Sequence, residues 1–180
     1  MTDAADRLYE RVLVLRCQAR DDAAFEEIVA RYTPRLRYYL RKMLGGAQSA
    51  EDALQEVWLD AFRGLPALIE PAAFPAWIYR LARDRAFRDL RARRSYLPLK
   101  ELDFIEEAGG TNDFSTEDAA RIHHALDALL PEHREVLVLR FIESMTYEQI
   151  AGIVGCQLGT VRSRLHYAKR ALRRVIEGTE

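Results

Sequence analysis

Apolar residues in this chain recur three and four positions apart, and nowhere do they alternate over the length of a strand. That spacing confines the fold to packed α-helices. Phe25, Ile28, Val29 and Tyr32 form one stripe, and Leu36, Tyr39, Leu40, Met43 and Leu44 a second. Leu54, Val57, Trp58, Ala61, Phe62 and Leu65 form a third. Thr33-Pro34 reads as an N-cap with proline in the first helical position, and Gly45-Gly46 as a stop. Ser49, with Asp52 three residues on, reads as the next start. Gly64, Pro66, Pro71 and Pro75 mark a breaker-rich segment, and a further helix is expected from about Phe74–Trp77 to Arg94.

The C-terminal third has a more specific outline. Ile122, Ala125, Leu126, Leu129 and Leu130 make a stripe; Pro131 begins an element whose buried side includes Val136, Leu137, Leu139 and Ile142. Thr146 and Gln149 form a capping box, Gly155 supplies a turn after Val154, and a long helix is expected from Leu158 to Ile176. A short capped helix, a glycine turn and a second helix outline a helix-turn-helix. In the second helix Val161, Leu165, Ala168 and Leu172 line the core. Arg162, Ser163, His166, Arg170, Arg173 and Arg174 point elsewhere at about 100° per residue. Residues 157–174 carry six basic residues and no acid, with Gln157, Thr160 and Ser163 near the N-terminal end. Cations for phosphates and polar side chains for base edges are what a major-groove helix needs. The plain reading is a solvated basic helix; the capped helix and turn before it favour DNA.

The net charge, 27 basic against 28 acidic residues, argues at first against a nucleic-acid partner. The total is a cancellation of blocks. Residues 80–94 hold seven arginines and two aspartates, with Trp77, Tyr79, Phe87 and Tyr96 interleaved or alongside. Cations and aromatics in that mixture suit single-stranded nucleic acid, while a core face backed by a solvated face explains them equally well. Residues 51–60 hold Glu51, Asp52, Glu56 and Asp60, no base, and Gln55. The helix dipole accounts for the first two acids. The others suggest a protein partner with a basic surface. Residues 95–118 carry seven acids and one lysine and read as an exposed linker between two domains.

Cys17 and Cys156 are isolated, so neither a zinc site nor a disulfide framework is expected. Nor is a cofactor expected. The first residues lack a signal-peptide pattern and no apolar run approaches a membrane span, which points to a cytoplasmic chain without membrane insertion. His123, His124, His133 and His166 have no nucleophile, metal or phosphate-loop motif around them, and an enzyme is not expected.

The chain resembles the extracytoplasmic-function class of bacterial sigma factors, in the sigma-70 family. The resemblance rests on residues 22–28 (DAAFEEI), 50–59 (AEDALQEVWL), 74–83 (FPAWIYRLAR), 130–137 (LPEHREVL) and 159–165 (GTVRSRL), in that order over about residues 10–176. It implies an all-α chain of two small helical domains: residues 1–94 as sigma region 2, 95–118 as an acidic flexible linker, and 119–180 as a region 4 helix-turn-helix. It implies that Glu51, Asp52, Gln55, Glu56 and Leu59 bind bacterial core RNA polymerase. The 64–75 loop and Trp77, Tyr79, Arg80, Arg83, Asp84, Arg88 and Arg91 would take the single-stranded −10 element of promoter DNA. Gln157, Gly159, Thr160, Arg162, Ser163, Arg164, His166 and Arg170 would read the double-stranded −35 element. An anti-sigma factor is implied as a further partner. The chain departs from the family in having Asp84 where Asn is usual, and Arg88 where an acid is usual, with Asp89 displaced by one. The alternative is a helix-turn-helix regulator that replaces no sigma subunit, which leaves the acidic 51–60 face and the basic-aromatic 77–94 helix unexplained together.

Overall fold

The computed structural model describes residues 2–96 and 117–178, side chains being described for 4–92 and 121–178. Nearly all of the expected 95–118 linker lies outside the described residues. The described residues are helical and contain no strand. The first group is α1 (Thr2–Gln18), α2 (Asp22–Leu44), α3 (Ala47–Gly64) and α4 (Phe74–Tyr96), with two 3₁₀ turns, Leu65–Ala67 and Pro71–Ala73, between α3 and α4. The second is α5 (Glu117–Asp127), α6 (Pro131–Leu137), a π-helical turn (Val138–Ile142), α7 (Tyr147–Val154) and α8 (Leu158–Glu177).

Helix α2 is capped by Asp21, whose carboxylate accepts from the Ala24 amide at 3.1 Å, and ends on Gly45 in the left-handed region at φ 73°. The expected break at Thr33-Pro34 is absent: Pro34 lies inside α2. Proline removes a bond to the carbonyl four residues back, which belongs to Ala30, on the exposed side where water can satisfy it. Thr33 uses its hydroxyl otherwise, accepting from Trp58 Nε1 of α3 at 3.0 Å. The start expected at Ser49 also moves: Gly46 is the N-cap of α3 and Ser49 falls in its first turn. Helix α1 carries only a narrow buried strip of Leu13, Val14 and Cys17, which is why no periodic stripe announces it. Gln18 ties its end to the next loop by donating to the carbonyls of Leu65 (3.2 Å) and Leu68 (2.6 Å).

The core of the first group is built from Ile28, Tyr32, Leu36, Tyr39 and Leu40 of α2, Leu54 and Val57 of α3, and Phe74 and Ile78 of α4. In the second group Val136, Val138, Leu139, Ile150, Ile153, Val161, Leu165 and Ala168 are buried. Phe62, Ile122, Leu130 and Ile142, all expected inside, are exposed. The capping box of α7 forms as expected, with Thr146 and Gln149 satisfying each other's backbone amides. Gly155 takes the left-handed conformation (φ 73°) that the turn into α8 requires. No helix among the described residues is long and apolar enough to cross a membrane.

The two groups pack directly together, α4 against α7 and α2 against α6. At one edge of this interface Tyr38 Oη and His123 Nδ1 are 2.7 Å apart, with Lys42, Asp127 and His124 around the ring. Burial, then the Lys42 charge, holds the His123 pKa below its ordinary 6.5. The unfolded chain therefore binds this proton before the folded chain does. The contribution is complete above about pH 6.5 and is lost as pH falls through the lower folded value. The free energy of unfolding is expected to drop between pH 6.5 and 5.5, by at most about 1.4 kcal/mol per pH unit for this one proton, and the melting temperature falls with it. In His123→Asn that part of the drop should vanish; an unchanged pH profile would remove His123 from the account.

Candidate nucleic-acid interface

The basic helix presents the face expected of it. Gln157, Gly159, Arg162, Ser163, His166 and Arg170 are exposed, while Thr160 and Arg164 are half-buried. Gln157 is the N-cap of α8 and makes no side-chain cap bond, so its amide is available to another partner. Ser163 donates its hydroxyl to the Thr160 carbonyl at 3.0 Å, leaving its oxygen lone pairs outward. Val161, Leu165 and Ala168 face the core, with Leu172 packed beside them. Gly159, Arg162, Ser163, His166 and Arg170 are thus brought together on one side of α8, whereas Arg164 lies on the flank toward the buried Glu135, whose pKa its charge lowers.

The α4 face divides. Arg80, Asp84, Arg88 and Arg91 are exposed and fall on a single solvent stripe at four- and three-residue intervals. Arg80 and Arg88 therefore flank Asp84 one turn to either side and offset its charge. Trp77 is half-buried, packed so closely on Gly64 that a Cβ there would lie 3.1 Å from the ring. Tyr79 is fully buried beside Tyr39, so base stacking on its ring is closed off in this arrangement. Arg83 turns away from the stripe. Its Nε donates to Glu135 at 2.8 Å, and its guanidinium lies 4.3 Å from the centre of the Phe87 ring.

The loop before α4 is braced from below by Gln18 and from within by Glu70, which accepts from the Ala72 amide at 3.1 Å. Its tip, Ile69, is 97% exposed.

On α3, Asp52, Gln55 and Leu59 form an outward stripe. Asp52 accepts from Gln48 at 3.0 Å. The other acids have partners within the same helical group. Glu51 meets Arg37 at 2.6 Å and Arg41 at 3.5 Å, Glu56 meets Arg85 at 3.4 Å, and Asp60 meets Arg63 at 3.7 Å. Part of the acidic block is therefore matched internally, by Arg63 at i,i+3 and by Arg37, Arg41 and Arg85 from other helices, which sequence spacing could not assign to it.

Three polar residues that the helical stripes do not mark are buried between the helical groups. Glu135 is 1% exposed and accepts from Tyr39 Oη (2.9 Å) as well as Arg83; burial pushes its carboxyl up, and Arg83 opposes the shift. Glu143, its side chain also 1% exposed, pairs with Arg35 at 2.8 Å. Arg134 is buried and donates to four backbone carbonyls. A carboxylate beside the apolar run 136–139 was a usable signal, because a charge at a buried position requires a cation from elsewhere. Among the described residues no cluster of His, Cys, Asp and Glu could hold a metal ion.

Comparison with known proteins matches both helical groups. The Sigma-70 region 2 family model covers residues 28–96, and the Sigma-70, region 4 model covers 114–172. The chain is 30% identical to the RNA polymerase sigma-H factor of Pseudomonas aeruginosa and 32% identical to the ECF RNA polymerase sigma-E factor of Escherichia coli K12. Each match spans 93% of this chain and 94% of the relative. Among solved structures, CnrH in complex with the cytosolic domain of CnrY shares the fold at a TM-score of 0.70 and 22% identity, over 95% of this chain and 99% of that one. The sigma factor RpoE in complex with the anti-sigma factor NepR from Bartonella quintana gives 0.76 and 24%, over 87% and 98%.

Proposed function

The chain belongs to the extracytoplasmic-function class of the sigma-70 family and is an RNA polymerase sigma factor; from that premise we propose how its surfaces divide the work of initiation. The observation that carries the proposal is the solvent-facing basic side of α8 set behind the capped α7. Helix α8 enters the major groove of the −35 element, with Arg162, Arg164 and Arg170 on phosphates and Gln157, Thr160, Ser163 and His166 toward base edges. Gly159 lets the backbone come close. Each good base contact there is worth roughly 1–3 kcal/mol of discrimination.

The Asp52, Gln55 and Leu59 stripe of α3, with Glu51 and Glu56 at its sides, binds core polymerase. The 64–75 loop and the Arg80, Arg88 and Arg91 stripe of α4 take the −10 strand as it separates, with Asp84 tuning that stripe and Trp77 supporting it. Binding energy to polymerase and to unpaired bases offsets the few kcal/mol of local unstacking. The factor performs no bond chemistry of its own in this reading. An anti-sigma factor is its further partner, as NepR is for RpoE of Bartonella quintana.

The test is run-off transcription with bacterial core polymerase on a library of promoter fragments, with permanganate mapping of the melted strand. Factor-dependent transcripts with a permanganate-reactive −10 segment are expected. No transcription together with no core binding would sink the proposal. A conventional regulator would bind duplex DNA and still fail to redirect core enzyme.

A further inference from the structure

Asp84 is out of place by its charge. Helix α4 lays Arg80, Asp84, Arg88 and Arg91 along one solvent stripe, and the carboxylate stands in the middle of it, where a surface for a polyanion would hold another cation. The pairing that would account for it is not made. Among the described residues the side chains of Arg80, Asp84 and Arg88 make no hydrogen bond or ion pair, although Asp84 lies four residues from each arginine. Arg85 and Asp89, at the same spacing one residue on, do pair, at 3.2 Å. Asp84 is therefore open to a ligand. That ligand must be a donor, since an ionised carboxylate only accepts.

A DNA strand carries its donors on the bases. In a duplex those of the Watson–Crick edge are used in pairing; in a separated strand they are open. The four edges differ. Guanine presents N1–H and N2–H side by side, two parallel donors that match the two oxygens of a carboxylate as an arginine fork does. Adenine and cytosine each set one amino donor beside a ring-nitrogen acceptor, so a carboxylate gains one bond and meets one lone pair. Thymine places its N3–H between two carbonyls, and both repel a carboxylate.

Side-chain length favours a base over a phosphate. The arginines carry their guanidinium groups far from the helix, whereas the Asp84 carboxylate stays close to the backbone. About 6 Å of helix, four residues, separates it from Arg80 and again from Arg88. Phosphates held at the two guanidinium groups leave the carboxylate recessed between them, where a base edge reaches it.

We propose that Asp84 selects guanine in the separated −10 strand, accepting from N1–H and N2–H while Arg80 and Arg88 hold the flanking phosphates. The inference rests on the assignment of this stripe to the −10 strand and adds the base that it reads.

The test uses holoenzyme assembled from bacterial core polymerase and the full chain. Fork fragments are built on a promoter recovered by the run-off assay, with the −10 segment single-stranded and randomised, and retained fragments are sequenced. Wild type is expected to enrich guanine at one position about tenfold over thymine, within the range for one bidentate contact, with adenine and cytosine between. Asp84→Asn should lower guanine and raise adenine at that position, because an amide offers one donor and one acceptor. Asp84→Ala should flatten the choice there and leave the other positions as they were. A guanine preference that survives Asp84→Ala overturns the proposal. So does an Asp84→Ala variant that retains every sequence more strongly in an unchanged ranking, since the carboxylate would then only repel phosphate.

Arg88→Ala separates this inference from the assignment beneath it. If it weakens retention of all sequences alike while Asp84→Ala alters no ranking, the stripe binds the strand and only the guanine reading fails. If Arg88→Ala and Asp84→Ala both behave as wild type, the −10 assignment itself fails.

Discussion

Arg134→Ala is expected to lower the free energy of unfolding by about 3–5 kcal/mol, since each buried acceptor left unsatisfied costs about 1–3 kcal/mol and water recovers part of it. The reason lies in helix ends. The last carbonyls of an α-helix have no intrahelical partner and must be satisfied from outside. Helix α2 ends at Leu44, and the Lys42 carbonyl in its last turn accepts from Arg134 Nη1 at 2.6 Å. Helix α5 ends at Asp127, and the same guanidinium donates to the carbonyls of Leu126 (2.9 Å), Asp127 (2.6 Å) and Leu129 (3.0 Å). One side chain thus closes two helix C-termini from different halves of the molecule, where their dipoles also favour a cation. Alanine would strand four acceptors and leave a void. Arg134→Lys should recover only part of the stability, because an ammonium lacks the planar fork that reaches acceptors in several directions. Urea denaturation of the full chain measures this. A change within 1 kcal/mol of wild type would show that water replaces Arg134 at both ends.

What could be read ahead of the structure depended on whether the signal was local. The capping box at Thr146 and Gln149, the Gly155 turn and the α8 stripe each depend on residues a few positions apart, and each formed as expected. The failures are of two kinds. At Thr33-Pro34 a local start signal was overridden because the stripes on either side continue in register, so α2 gains more by staying whole than Pro34 costs. Helix α1 was invisible because only three of its described residues are buried, too few to set a period.

The candidate surfaces follow the same division. Exposure of Asp52, Gln55, Arg80, Arg88, Arg162 and Arg170 follows from helix phase alone. The burial of Tyr79 and the turning of Arg83 do not, since both depend on what α7 and Glu135 place against α4. Glu135 lies 52 residues from Arg83 and 96 from Tyr39. No spacing rule reaches that far. Charge patterning misled for a related reason: Glu51 and Glu56 of α3 looked unmatched because their arginines sit on α2 and α4.

Replacing both Arg162 and Arg170 by alanine is expected to weaken binding to the upstream duplex about sixtyfold at 0.1 M salt. Both side chains are exposed on α8; the one acid whose pKa Arg162 lowers is Glu148 of α7, itself at the surface. Each phosphate neutralised contributes about 0.9 to the slope of log K against log salt, so removing one such cation costs about eightfold at 0.1 M. The two positions are eight residues apart, about 12 Å along the helix, and their effects should add. Binding curves between 50 and 200 mM salt should therefore flatten by about one slope unit for each single variant and two for the double. The slope is the decisive reading. If Arg162 reads a base edge, alanine there would weaken one promoter sequence and leave the salt dependence in place, whereas if it neutralises a phosphate, alanine weakens all sequences alike. Unchanged slopes and affinities in both single variants would mean that the outer face of α8 is a solvated surface, and DNA would have to be sought elsewhere on the second helical group.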